Sequence, residues 1–478
     1  MRGVDLLLIQ PPVHLRRTEL GASQVSPNLG LAYMASYQRR QGRRVAVIDA
    51  HALRWGLDEI VAEARAQRPA LIGVSAMTYQ ILPAAATAAA LKDALPDTPI
   101  VLGGAHATAV PRRTLDEFPA FDAVLTGEGE INLGLALDDF HAGGLRARPG
   151  IHLRGEGEEV SAHAAPRVER LDELPPPAFD LFPLHAYWPF YSRRWLMELP
   201  LSASRGCPFK CTFCTKVMGD RARFRSPESL VAETERHVLR HGLRQVIFTD
   251  ENFTLKKSLV HGYCAGLMRR GFAGRLRLIC QSRVEIEPET IQLMARAGFT
   301  HITFGIESGD QEILDRACKG ITPEQSRRAV VAAKQAGMVV DGNFILGLPD
   351  ENEETVRRTI DFACSLPLDY ASFFLLVPYP GSKVLEMARR GEGRLRLLSD
   401  RWEDYGKQTG GAVELTTIGR QRLETLQFRG YLRFYGHPKR WLPVFRKVSF
   451  ATVLSFLKMR LWRPAPEGGK AARLARNP

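Results

Sequence analysis

Cysteine is scarce and unevenly placed: seven occur in 478 residues, and none precedes position 207. A disulfide-dense secreted scaffold needs many more in a shorter chain, so that class is excluded. A thiolate-held cluster in the first 206 residues is excluded for want of ligands. Long apolar runs are missing too, and none approaches the roughly 20 residues of a membrane-spanning helix. The opening Met1-Arg2-Gly3-Val4-Asp5-Leu6-Leu7-Leu8-Ile9 has too short an apolar core for a secretory leader. The expectation is a cytoplasmic chain. No exact repeat or low-complexity tract appears. Acids are outnumbered by bases, 52 to 65, for a net charge of +13. That balance admits phosphate-rich partners, nucleic acid or an anionic membrane surface without choosing among them.

The composition itself is that of a globular protein, 45% apolar and 24% charged, in a chain long enough for two or three domains. Strand-like runs at 4–10, 44–49, 70–75, 100–103 and 123–126 alternate with helical patterns near 30–40, 57–67, 83–95, 111–118 and 131–141. This alternation predicts a doubly wound parallel sheet over residues 1–142, with ligands at the carboxyl ends of its strands. Residues 143–198 break the pattern. A hairpin around Gly155-Glu156-Gly157 and the Pro-rich Leu174-Pro175-Pro176-Pro177 read as a linker packed between domains. A second alternation follows over 199–390, with strands at 199–204, 245–249, 277–281, 301–305, 339–346 and 371–377. Six such units suit an open, partial (β/α)6 TIM-like barrel. Residues 391–478 lose the alternation and read as a helical, basic region.

Three of the seven cysteines fall within eight positions, Cys207, Cys211 and Cys214, in Ser204-Arg205-Gly206-Cys207-Pro208-Phe209-Lys210-Cys211-Thr212-Phe213-Cys214. Three thiolates on one loop can hold three irons of a 4Fe–4S cluster. A structural zinc site wants four ligands, and no fourth Cys or His lies nearby. Three inert thiols would make the spacing a coincidence. Cys264, Cys280, Cys318 and Cys364 are scattered and read as ordinary buried thiols.

The C-x-x-x-C-x-x-C motif, with Phe213 before its last cysteine and a six-unit barrel behind it, resembles the radical S-adenosylmethionine (SAM) superfamily over about residues 199 to 390. The resemblance implies that Cys207, Cys211 and Cys214 are the metal ligands and the catalytic centre. It further implies that the open iron chelates the amino and carboxylate groups of SAM, and that reductive cleavage yields a 5′-deoxyadenosyl radical. A one-electron reductant such as flavodoxin or ferredoxin is implied as partner. Phe213 and four barrel positions become candidate SAM contacts. Glu251 in Thr249-Asp250-Glu251-Asn252 suits the ammonium, Ser282 and Arg283 suit ribose or carboxylate, and Glu307 follows the fourth strand. All the barrel positions stand at strand carboxyl ends, where barrel active sites are built. A solvated loop acid or a lumen hydrogen bond is the alternative for each.

A doubly wound sheet directly before such a core resembles the cobalamin-binding, flavodoxin-like domain of class B radical SAM enzymes. The supporting segments are Ser26-Pro27-Asn28-Leu29-Gly30, Gly73-Val74-Ser75-Ala76-Met77-Thr78, Leu102-Gly103-Gly104-Ala105-His106 and Thr126-Gly127-Glu128-Gly129-Glu130. Small residues at strand ends let the backbone approach a large flat ligand. The implied cobalamin contacts are Ser75, Thr78, Gly103, Gly104, His106, Gly127 and Glu128. The D-x-H-x-x-G signature of histidine-ligated cobalamin domains is missing. After the first strand the chain reads Pro12-Val13-His14-Leu15-Arg16-Arg17, and the near miss Asp49-Ala50-His51-Ala52-Leu53-Arg54 follows the second strand. His51 reads as a loop residue, and cobalamin is expected to bind without a protein histidine.

Between residues 428 and 463 stand nine Lys or Arg, nine aromatics and no acid, with a mostly apolar stretch at 448–457. A helix packed over the barrel, an anionic membrane surface and, least favoured, nucleic acid all suit this composition. Peripheral contact with the inner membrane surface and a small-molecule, lipid-like substrate follow from the second reading. The resemblance implies methylation of an unactivated carbon through a 5′-deoxyadenosyl radical and methylcobalamin. Radical cyclisation or ring rearrangement on the same architecture is the alternative. A tRNA-modifying methylthiotransferase would need N-terminal cluster cysteines, which this chain lacks.

Overall fold

The computed structural model describes residues 3–13, 26–155, 165–189, 196–406, 411–437 and 440. The Leu-, Ile- and Val-rich runs near the start form β1 (Leu6–Gln10), β2 (Val45–Asp49), β3 (Leu71–Ser75), β4 (Ile100–Gly103) and β5 (Ala123–Leu125). They pair in parallel in the order β2-β1-β3-β4-β5. β1 is buried along its whole length, as a central strand covered on both faces must be. Helix starts follow local chemistry. Asn28 Oδ1 accepts from the Leu31 N–H at 3.1 Å and caps the helix Leu29–Arg40. From β1 the chain adds β2 on one side and β3 on the other, which opens a crevice above the carboxyl ends of β1 and β3.

The first sheet has a sixth strand that the sequence pattern does not reveal. β6 (Ile151–Leu153) runs antiparallel to β5, with Ala123 opposite Leu153. It lies beyond the boundary expected at residue 142, so the sheet reaches into the segment read as linker. Three residues are too few for a period-2 signal. The hairpin expected around Gly155-Glu156-Gly157 lies, from Glu156 on, outside the described residues. The described linker residues from 165 to 189 pack between the two sheets as expected. Ala178 N donates to Ala32 O at 3.0 Å, Ser36 Oγ to Pro176 O at 2.6 Å, and Tyr187 Oη to Asp49 Oδ2 at 2.7 Å. Phe179, Phe182 and Tyr187 join a core continuous with both sheets.

The second half supplies β7 (Glu198–Leu201), the short antiparallel pair β8 (Ser204–Arg205) and β9 (Arg223–Phe224), then β10 (Gln245–Phe248), β11 (Arg277–Ser282), β12 (Phe299–Glu307), β13 (Val339–Leu346) and β14 (Tyr370–Leu375). Six of these form one parallel sheet in the order β14-β13-β12-β11-β10-β7. β14 and β7 stand at its two edges, so the barrel is open. This is the six-unit architecture that the alternation predicts.

The region after residue 390 opens with a 3-10 turn, Glu392–Arg394, and holds two short strands before its long helix. β15 (Leu395–Leu397) pairs antiparallel with β16 (Val413–Leu415), and Leu395, Val413 and Leu415 are buried. Each strand is three residues long, again too short to read. The helix Arg420–Tyr435 then lies along the barrel's edge. Tyr431 Oη accepts from Phe373 N at 3.0 Å, Tyr435 Oη accepts from Ala371 N at 3.1 Å, and Gln427 Nε2 donates to Phe373 O at 2.6 Å. These side chains occupy the backbone groups that β14 would otherwise leave open. The first aromatics of the tail are therefore packing residues. The apolar stretch at 448–457 lies outside the described residues, and no described helix is long and apolar enough to cross a membrane.

Candidate active site and cofactor cavities

The cysteine loop leaves β7 and is fastened at both ends. Asp250, buried at the end of β10, accepts from Ala203 N at 3.1 Å and from Ser204 Oγ at 2.5 Å. Burial pushes its carboxyl up to about 6, against the pull of those donors. The β8–β9 pair then brings the loop's entry and exit together. Gly206, at φ +87°, turns the chain between them, and a Cβ there would stand 2.5 Å from Arg221 O. Thr212 N donates to Ala317 O at 3.0 Å and Val384 N to Thr212 O at 3.0 Å, which ties the loop's centre to the barrel.

Cys207 and Cys211 are partly covered, and Cys214 is exposed on the mouth of the barrel. Loss of solvation pushes the Cys214 thiol up to about 11, reinforced by Cys211, Cys207 and Glu251. Burial also raises Cys211, while Lys319 and Arg283 pull it down. Three thiols that repel one another's charge are relieved by iron, which binds the thiolate form. Among the described residues no three His, Cys, Asp or Glu side chains converge about a single ion. A cluster, which takes its thiolates at separate corners, suits this loop better than one zinc ion.

Arg283 serves the loop more directly than its expected SAM role. Its Nη1 donates to Cys211 Sγ at 3.6 Å, its plane lies 3.7 Å from the Phe209 ring centroid, and Glu285 and the Lys319 carbonyl take its remaining donors. Ser282 is likewise engaged, with Thr254, with Asn252 Oδ1 at 3.3 Å and with Arg283 O at 2.7 Å. Glu307 sits at a register shift between β12 and β13, at φ +67°, and accepts from Lys319 Nζ at 2.7 Å. Lys319 is buried, and its ammonium lies 6.0 Å from the Phe213 ring centroid. The sequence pattern missed Lys319 because a lysine in a turn after a helix ordinarily faces solvent. Glu251 stands exposed at the end of β10. Its carboxyl is shifted up by lost solvation, against its own and Gly206's backbone N–H groups and the attraction of Arg205 and Arg223.

Two cavities meet above this loop. One, of about 440 Å³, is lined by Cys214, Phe213, Glu307, Asn343, Thr78 and Tyr79 among others. The second, of about 650 Å³, lies at the switch point of the first sheet. Its walls include Gln10, Ser75, Gly103 and Gly127 from the first sheet's strand ends, and Pro200, Ile247 and Thr249 from the barrel. Both volumes fall in the range of ligand sites. Met77, Ala105 and Val217 line both.

The expected cobalamin contacts divide accordingly. Ser75, Gly103, Gly104 and Gly127 line the larger cavity. A Cβ at Gly103 would meet nothing within 4 Å, so this backbone faces open space, as close approach to a flat ligand requires. Gly104 serves another purpose: at φ +99°, its Cβ would stand 2.7 Å from Ala76 O. Thr78 lines the smaller cavity instead. His106 lines neither; it is fully buried with both ring nitrogens unpartnered, edge-on to Trp402 at 4.6 Å. Burial, with Arg113 nearby, pulls it down to about 3, so it is neutral. Glu128 borders the larger cavity, but its carboxylate is taken by Arg205 at 2.7 Å and by Arg223. His51 lies in the short helix Ala50–Leu53 and does not line the larger cavity among the described residues, and His14 lies outside the described residues. Of the scattered thiols, Cys264 and Cys280 are buried, Cys364 is half-buried and Cys318 is exposed, against expectation.

Comparison with known proteins follows this division. The family model of the radical SAM superfamily matches residues 201–363, and that of the B12 binding domain matches residues 21–135. An uncharacterized methyltransferase of Pyrococcus horikoshii is 32% identical, over 92% of this chain and 94% of its own length. The anaerobic magnesium-protoporphyrin IX monomethyl ester cyclase of Rubrivivax gelatinosus is 30% identical, over 80% of this chain and 69% of its own. The structure of the radical SAM methyltransferase TsrM from Kitasatospora setae, with cobalamin and a [4Fe-4S] cluster bound, superposes with a TM-score of 0.64 at 20% identity, over 83% of this chain and 81% of that one. With a near-full-length relative and both domain models in the same order, the chain belongs to the radical SAM superfamily, among its members that carry an N-terminal B12-binding domain.

Proposed function

We propose that the protein is a cobalamin-dependent radical SAM methyltransferase acting on an unactivated carbon of a small molecule. One observation carries this reading: the switch-point cavity of the B12-binding domain shares the walls Met77, Ala105 and Val217 with the chamber above the cluster cysteines. A methyl carrier in the first cavity and a radical generator at the second would be neighbours. When bound, the 4Fe–4S cluster supplies the electron that cleaves SAM, and cobalamin supplies a transferable methyl group.

This chain's own residues set the conditions. Cys207, Cys211 and Cys214 would hold three irons and leave one for SAM. Arg283 and Lys319 place positive charge beside the Cys211 thiolate. The chamber walls Ile345, Phe374, Leu375 and Val377 are apolar, and they keep water and exchangeable donors from a carbon radical. Glu307, on the chamber wall and fixed by Lys319, is the carboxylate assigned to SAM, with Glu251 beyond β10 as the second candidate. A flavodoxin or ferredoxin would supply the reducing electron. Radical cyclisation is the second reading, favoured by the 30% identity to a cyclase.

The fate of SAM separates the two. With strong reductant and substrate, a methyltransferase forms both S-adenosylhomocysteine and 5′-deoxyadenosine, whereas a cyclase without methyl transfer forms only the second. Absence of S-adenosylhomocysteine would overturn methylation. A lipid-like substrate and contact with an anionic membrane rest on the composition of the basic aromatic tail. Salt-sensitive sedimentation with anionic liposomes tests them, and no binding at low salt would remove both.

A further inference from the structure

The two cofactor sites are joined by a buried ionic clamp that neither cofactor explains. Arg205 stands two residues before Cys207. It donates through Nη1 to Glu128 at 2.7 Å and through Nη2 to Glu130 at 2.7 Å. The acids lie 77 and 75 residues away in sequence, Glu128 at the N-cap and Glu130 in the first turn of the helix Gly129–His141 beside the B12-binding cavity. Arg223, beside Arg205 on the paired strand, takes the other oxygen of Glu128. All four side chains are at least nine-tenths buried. The guanidinium of Arg205 also lies 5.3 Å from the Tyr33 ring centroid, and Tyr33 in turn donates to Glu233 at 3.2 Å, which Arg225 grips at 2.7 Å. Two cations on the strands flanking the cluster loop thus neutralise two anions at the start of the helix Gly129–His141, and a second pair continues the network into the barrel.

Such a network is a poor source of stability, because desolvating the charges offsets most of their attraction. What it does supply is register. An Arg fork and carboxylates satisfy one another in one geometry only, and a one-residue slip would leave charges buried without partners. We infer that the Glu128–Glu130–Arg205–Arg223 clamp is a positioning device that fixes the cluster loop relative to the B12-binding cavity, so that methyl carrier and radical reach the same substrate carbon. The inference rests on the cofactor reading above. Its residues touch the cavity rim and the cluster loop but act through them.

The test compares wild type with Glu130→Gln and Arg205→Lys as reconstituted holoenzymes. Pulsed electron paramagnetic resonance between cob(II)alamin and the reduced cluster should give one narrow distance in wild type, and a broader or longer one in both variants, compared at equal iron and cobalt loading. 5′-Deoxyadenosine formed per methylated product should rise several-fold as cleavage uncouples from transfer. An unchanged distance and ratio would overturn the clamp. A wild type without corrin signal would overturn the cofactor reading and the clamp with it. If the variants do not fold, hydrogen exchange in wild type decides. The Gly129, Glu130, Gly206 and Cys207 amides should open as one unit, and opening at separate free energies would refute the inference.

Discussion

Gly103 and Gly104 are adjacent in sequence and opposite in purpose. A side chain at Gly103 enters open cavity, whereas one at Gly104 strikes the Ala76 carbonyl and holds a left-handed backbone. Gly104→Ala is therefore expected to cost about 1–3 kcal/mol in urea unfolding, while Gly103→Ala should be nearly neutral. Glu351 presents a different residue-scale case. It is fully buried, and one oxygen accepts from Gly347 N at 2.6 Å and Leu348 N at 3.0 Å while the other has no partner. Burial pushes its carboxyl from 4.5 up to about 8, with Asp310 adding to the effect. The native state keeps a proton that the unfolded chain releases, so this group's contribution to stability falls as pH rises from about 4.5 through 8. Glu351→Gln should remove that slope. The urea midpoint of wild type should drop more between pH 5.5 and 8.5 than the variant's, and equal drops would contradict the assignment.

At the scale of elements, the open barrel depends on a helix from outside it. Tyr431→Phe leaves the Phe373 N–H without its side-chain acceptor and should cost about 1–2 kcal/mol. Faster exchange at the Phe373 amide would locate the loss, and unchanged exchange would mean that water replaces the hydroxyl. This contact also marks where reading the sequence stops. The eleven parallel strands were legible because apolar runs recur between amphipathic helices at regular intervals. The three-residue strands β6, β15 and β16 carry no such period. The cysteine loop was legible because all three ligands are local. Their position after strand ends points Glu128 and His106 at the ligand, yet their partners, Arg205 and Trp402, lie far along the chain. No local pattern announces a long-range partner. The Tyr431 and Tyr435 hydroxyls escape the sequence for the same reason.

At the scale of the whole molecule, each region is tied back to another. Trp402, in the connection between β15 and β16, packs into the first sheet's core, with His106 against its ring and Arg113 at 4.0 Å from its centroid. The Pro-rich linker and the Glu128–Arg205 contact join the same two halves from other sides. These ties hold the two cavities side by side, each for its own cofactor. Iron and cobalt content after anaerobic reconstitution tests that division of cofactors. Wild type should carry roughly four irons and one cobalt per chain. The Cys207→Ala, Cys211→Ala, Cys214→Ala triple variant should lose the iron and keep the cobalt. Gly103→Leu, with a side chain in the larger cavity, should lose the cobalt and keep the iron. Loss of both metals together in either variant, or cobalt binding untouched by Gly103→Leu, would contradict two separate cofactor sites.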